Sequence, residues 1–227
     1  MGQKIQKLRE DMAPMTFAQK VDHIWYYYKT YFFVFAVLGV AIIALFASML
    51  GKKESITSGL MVNLTMSTSG YNYLTEEYFD RIGGEKGQEV RLDVTKFENL
   101  SMTTDVEVNY NAALTLVARV SGGILDYILM DQSALEFYIN QDVFMDLREF
   151  FEEEELEQMK DRLIQGKIEE TGETWIVAVD ITDLPFVQEN MGTINEENGR
   201  IYFALSGRPP HPENCRDIWN YIHEWQP

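Results

Sequence analysis

Hydrophobic and polar positions divide this chain in two. From Tyr31 to Leu50, YFFVFAVLGVAIIALFASML, no position is charged, and Tyr31 and Ser48 are the most polar members. At about 1.5 Å per residue this run reaches roughly 30 Å, the thickness of a bilayer's hydrocarbon core. Backbone in lipid must satisfy its own hydrogen bonds, so the pattern predicts a transmembrane helix over 31–50. The competing reading, a buried helix of a soluble core, calls for a polar face that this run lacks. The run exceeds the apolar core of a cleaved signal peptide. No small-residue cleavage pattern follows Ala47-Ser48, so it reads as an uncleaved signal anchor.

Beyond the span the pattern shortens and alternates. Gly51 to Ser58 reads as a polar linker, and residues 59–227 read as one domain. Strands are predicted at Leu60–Met66, Val90–Val94, Leu125–Met130, Trp175–Val179 and Arg200–Leu205. Helical spacing places Tyr71, Leu74, Tyr78 and Ile82 on one face. A second helix runs from Tyr110 to Val120, with Tyr110, Ala113, Leu114, Val117 and Val120 inward. Ala134–Asn140 and EEEELEQMKDRLI are further helices, the second with Leu156, Met159 and Leu163 inward. Residues 99–108 read as an irregular connection and 186–199 as a short helix and turn. A last helix after His211-Pro212 carries Ile218, Trp219, Ile222 and Trp225. Strand–helix alternation of this kind predicts a layered α/β domain with a mostly parallel sheet.

Residues 1–30 read as a cytoplasmic juxtamembrane segment. Thr16 with Gln19 forms a capping-box pattern that starts a helix leading into the span. Trp25, Tyr26, Tyr27, Tyr28 and Tyr31, with Lys29 beside them, form an aromatic belt for the membrane interface. Plain interfacial anchoring accounts for such a belt; a specific lipid or partner contact is the sharper alternative.

Charge orients the molecule. Residues 1–53 hold seven Lys/Arg against three Asp/Glu, and residues 54–227 hold twelve against thirty-three. The positive-inside rule puts the N-terminus in the cytoplasm and the C-terminal domain outside, in a single-pass cell-membrane protein, although Lys52 and Lys53 stand at the exit. A domain so acidic excludes nucleic acid as a partner. The expected partners are the lipid bilayer and either another membrane protein or a small solute. Cys215 is the one cysteine, so no internal disulfide forms, and its place in the last helix predicts burial.

The run NAALTLVARVSGGILDYILMDQSALEFYINQDVFMDLREFFEEEELEQMKDRL resembles type 2 periplasmic solute-binding proteins. There a helix ends in a small-Gly turn, a strand ends in Asp, and a short helix follows. The tail IYFALSGRPPHPENCRDIWNYI is similar to the strand and helix with which those proteins re-enter their first lobe. The resemblance implies a solute-binding-like lobe. The chain is short for two lobes, the second being absent or reduced to residues 165–200. The lead TFAQKVDHIWYYYKTYFF resembles uncharacterised single-pass membrane proteins of Gram-positive bacteria.

In open α/β sheets ligands sit beyond the carboxyl ends of the strands. Those ends offer Thr68 and Ser69, Asp131 and Gln132, and Asp180 as candidate ligand contacts. The plainer account makes Ser69 and Asp131 helix caps. His211 and His223 have no acidic or cysteine companion in the sequence, so no metal site or cofactor is expected. No P-loop, G-x-G-x-x-G or G-x-S-x-G pattern occurs. The pattern therefore points to a non-catalytic binding or interaction module, the alternative being an envelope enzyme or assembly factor using clustered carboxylates. A co-polymerase-type chain-length regulator is disfavoured, because no second span follows.

Overall fold

Residues 16–50, 53–96, 110–167, 172–194 and 199–227 are described by the structure, a computed structural model. The connection expected at 99–108 and residues 1–15 of the lead segment lie outside them. The chain forms two units, residues 1–52 and 53–227.

In the first unit, α1 (Phe17–Leu50) is one continuous helix. Gln19 accepts a hydrogen bond from the Thr16 backbone N–H at 2.9 Å, one half of the expected capping box. Within α1, Tyr28–Ala47 is long and apolar enough to cross a membrane, and none of it is buried. Trp25 packs on Phe32 and Phe33, Tyr28 meets Tyr31, and Lys29 lies over the Tyr26 ring. The Tyr27 side chain lies outside the described residues.

The second unit is an α/β domain with a six-stranded sheet among the described residues. Its strands are β1 (Glu54–Val62), β3 (Gln88–Thr95), β4 (Tyr127–Asp131), β5 (Leu163–Lys167), β6 (Thr174–Asp180) and β8 (Ile201–Leu205), in the order β3-β1-β4-β8-β6-β5. A separate ribbon pairs β2 (Leu64–Met66) with β7 (Met191–Thr193). β3, β1 and β4 are parallel; β8 opposes both β4 and β6, and β5 opposes β6. Four of the six strands thus share a direction, and the sheet is mostly parallel, as expected. β8 reverses for a local reason. The short helix α7 (Pro185–Asn190) and β7 use up the chain after β6, so no crossover returns it to the sheet's other end.

Residues 54–58 are not linker: they are the first half of β1, hydrogen-bonded to β3. Asn63, buried at φ +58°, then breaks the expected 60–66 strand into β1 and β2. Asn tolerates this left-handed conformation better than a branched residue. The next helical stretch starts earlier than expected, with α2 (Thr68–Asn72), and continues through a π segment (Tyr73–Glu77) into α3 (Tyr78–Arg81). The π turn's extra residue rotates Tyr71 away from Leu74 and Tyr78, which are buried while Tyr71 is exposed. In α4 (Tyr110–Ser121), Leu116 and Val120 are buried, and Leu114, expected inside, faces solvent. The acidic helix α6 (Glu153–Gln158) is shorter than expected. Glu152 and Glu155 form its capping box, and Leu163 already belongs to β5.

Helices cover both faces. On one, Met61, Tyr127, Leu129 and Phe203 meet the π segment and α8 (Pro212–Glu224). On the other, Leu60, Val62, Ile128 and Met130 meet α4 and α5 (Gln132–Tyr138). Every residue of β4 and β8 is buried, which is why their sequences are nearly continuous apolar runs.

Candidate functional site

β1, β4 and β6 finish at one end of the sheet, where the ligand contacts were expected. Three separate polar knots form there. In the first, Ser67 caps α2 by accepting from the Gly70 N–H at 3.0 Å, and donates to Asn190 Oδ1 at 2.7 Å. Ser69 donates to the same oxygen at 3.2 Å, so the cap is Ser67 and not Ser69. Thr68 opens α2 and lines a shallow apolar groove with Met61, Leu64, Tyr71 and Val94.

In the second knot, Asp131 caps α5 through the Ala134 N–H at 2.9 Å. It also accepts from Ser133 at 2.9 Å and from Asn63 Nδ2 at 3.2 Å. Gln132 instead pairs with Glu136 on the surface at 2.7 Å. In the third, Asp180 accepts from the Thr182 hydroxyl and backbone N–H, and Arg200 approaches its other oxygen at 3.3 Å. β8 lies between β4 and β6. Two strand spacings therefore separate Asp131 from Asp180, about 10 Å between backbones.

The structure thus places all five candidates near one sheet end but leaves them in different knots. Ser67, of the turn at 67–70 that the sequence placed at this strand end, joins them, as do Asn63, Asn190 and Arg200, which the reading of the strand ends did not include. Asp131 and Asp180 each accept from a hydroxyl and a backbone N–H, Ser67 and Ser69 donate to an amide oxygen, and among the described residues no histidine is bonded into these knots. Ser67→Ala removes a cap and a side-chain bond together, and is expected to lower stability by about 1–2 kcal/mol. A denaturant titration of the full chain in detergent reads this; an unchanged midpoint would refute the capping role.

At the opposite end, sequence reasoning missed a pair. His211 does have an acidic companion: its Nδ1 lies 3.1 Å from Asp126 Oδ2. Asp126 is wholly buried and also accepts from the backbone N–H groups of His211, at 2.8 Å, and Ser58, at 2.7 Å. One charged residue inside the apolar run Leu125–Met130 was the signal. Cys215 is fully buried nearby, its Sγ 3.8 Å from the Asp126 carbonyl, and burial pushes its thiol up. No group of three or more His, Cys, Asp or Glu suited to a metal occurs among the described residues.

Comparison with known proteins finds no matching family model, no matching curated protein and no matching solved structure.

Proposed function

We propose that this chain is a membrane-anchored binding or interaction module, with its acidic α/β domain displayed outside the cytoplasm. The observation that carries the reading is the uncovered apolar surface of Tyr28–Ala47, on the same chain as a domain with its own two-faced core. Leaving about twenty apolar residues in water is unfavourable, and a bilayer removes that cost. The aromatic rings between Trp25 and Tyr31 suit the headgroup level, and the basic lead suits the cytoplasmic side.

The domain is a solute-binding-like lobe in this reading. Support comes from the strand order, in which the tail re-enters the sheet through β8, and from the polar sheet end where β1, β4 and β6 finish. The lobe holds a small solute or a neighbouring membrane protein as sensor, scaffold or transporter accessory.

Two measurements test this. The full chain is expected to stay with vesicles after carbonate extraction, and a reporter fused after Pro227 is expected to be active only outside the cytoplasm. Release by carbonate would remove the anchor, and cytoplasmic reporter activity would reverse the orientation.

A further inference from the structure

We propose that a cleft at the sheet end opposite the three polar knots binds a small oxyanion, a carboxylate or a phosphate monoester. The cleft measures about 300 Å³ and is lined by Ser55, Ser58, Arg91, Arg119, Ile124 and His211. That size falls at the small end of ligand pockets. In residues 54–227, Lys and Arg are outnumbered twelve to thirty-three, yet two guanidiniums and an imidazole line this one cavity.

Each of these three side chains is held in place. Asp93, also in the lining, takes Arg119 Nη1 at 2.6 Å, which fixes the guanidinium, and among the described residues no other acceptor meets its remaining N–H groups. Arg91 Nη2 meets Glu89 at 3.0 Å, and its side chain is half exposed. Asp126 occupies His211 Nδ1, so Nε2 is the ring nitrogen open to a ligand. An N–H at Nε2 donates to the oxyanion, while Asp126 fixes the ring from its Nδ1 side. Asp126 itself offers the cleft little bare charge, because two backbone N–H groups and the ring nitrogen occupy its oxygens. Ser55 gives its hydroxyl proton to the Thr57 carbonyl at 3.1 Å, so Ser58, whose hydroxyl lies 2.8 Å from that of Ser55, is the one that can turn to donate to a bound oxygen. Ile124, half exposed, gives an apolar wall for a ligand's carbon part.

This inference does not depend on the anchor or on the other sheet end. The test is calorimetric titration of the full chain in non-ionic detergent with inorganic phosphate, with succinate, and with methylammonium as a cationic control. Saturable binding of at least one anion and none of methylammonium is expected. Tighter phosphate binding identifies a phosphoryl ligand, and tighter succinate binding a carboxylate. Arg91→Gln is expected to weaken binding about ten-fold, and Arg91→Gln with Arg119→Gln about a hundred-fold. Should the double variant unfold, the single one, altered at a half-exposed side chain, still decides. His211→Asn, which keeps a donor toward Asp126, is expected to weaken binding several-fold. Lys160→Gln, in an exposed surface pair with Glu157, is expected to leave it unchanged. Absence of binding by both anions, or wild-type affinity in Arg91→Gln, would overturn the proposal.

Discussion

Replacing Asp126 by alanine is expected to destabilise the domain by about 3–5 kcal/mol, a large share of an ordinary domain's total stability. The carboxylate is wholly buried and ties three chain segments at once. Ser58 in β1 and His211 before α8 donate to it, and its own backbone joins β1 and Ser206. Alanine would leave the Ser58 and His211 N–H groups with no acceptor in the protein interior. Each such orphan costs about 1–3 kcal/mol, more than the bond itself contributes. Asp126→Asn separates shape from charge. The amide fills the same space but turns one acceptor into a donor facing N–H groups, so a loss of about 2–3 kcal/mol is expected. Denaturant titration of both variants, full-length in detergent, reads the effect. If Asp126→Ala lost under 1 kcal/mol, the carboxylate would not be the tie between β1 and the loop before α8.

Legibility followed how local each cause was. The apolar helix, β3, β4, β8 and α8 were readable because single-residue periodicity fixes them: Leu125–Met130 and Ile201–Leu205 are buried on both faces and read as apolar runs. The strand pairings at β5 and β7 were not readable. Leu163–Lys167 follows a helical pattern without a break, and only its pairing with β6 makes it a strand. Met191–Thr193 is three residues long, and its strand character depends on β2 across the ribbon. Site residues divide the same way. Asp131 was visible as a cap because Ala134 is three residues on. Asn190 and Arg200 were invisible because their partners lie far away in sequence, Ser67 for one and Asp180 for the other. The Asp126–His211 pair spans 85 residues, and no spacing rule reaches that far.

Gly59→Ala is expected to cost about 3 kcal/mol, through one methyl group in the middle of the sheet. Gly59 sits in β1 directly beside Tyr127 of β4, and the tyrosine ring lies over it. A Cβ there would stand 2.3 Å from Tyr127 Cζ and 2.6 Å from its hydroxyl oxygen, well inside van der Waals contact. A flexible side chain would swing aside, but this ring is fully buried and stacked on Phe203 at 5.9 Å. Phe203 in turn meets Trp219 edge-on at 5.0 Å, so the strain passes into the packing of α8 on the sheet. The Tyr127 hydroxyl has no partner among the described residues, so packing rather than hydrogen bonding fixes the ring. That makes the pair separable. Tyr127→Leu alone loses buried area and is expected to cost about 2–4 kcal/mol, yet it vacates the space the methyl needs. In a double-mutant cycle, the combined loss is expected to fall at least 1 kcal/mol short of the two single losses added together. Strict additivity would mean that the ring and the glycine are not in contact, and that β1 and β4 pack differently at the point where the two helix layers meet the sheet.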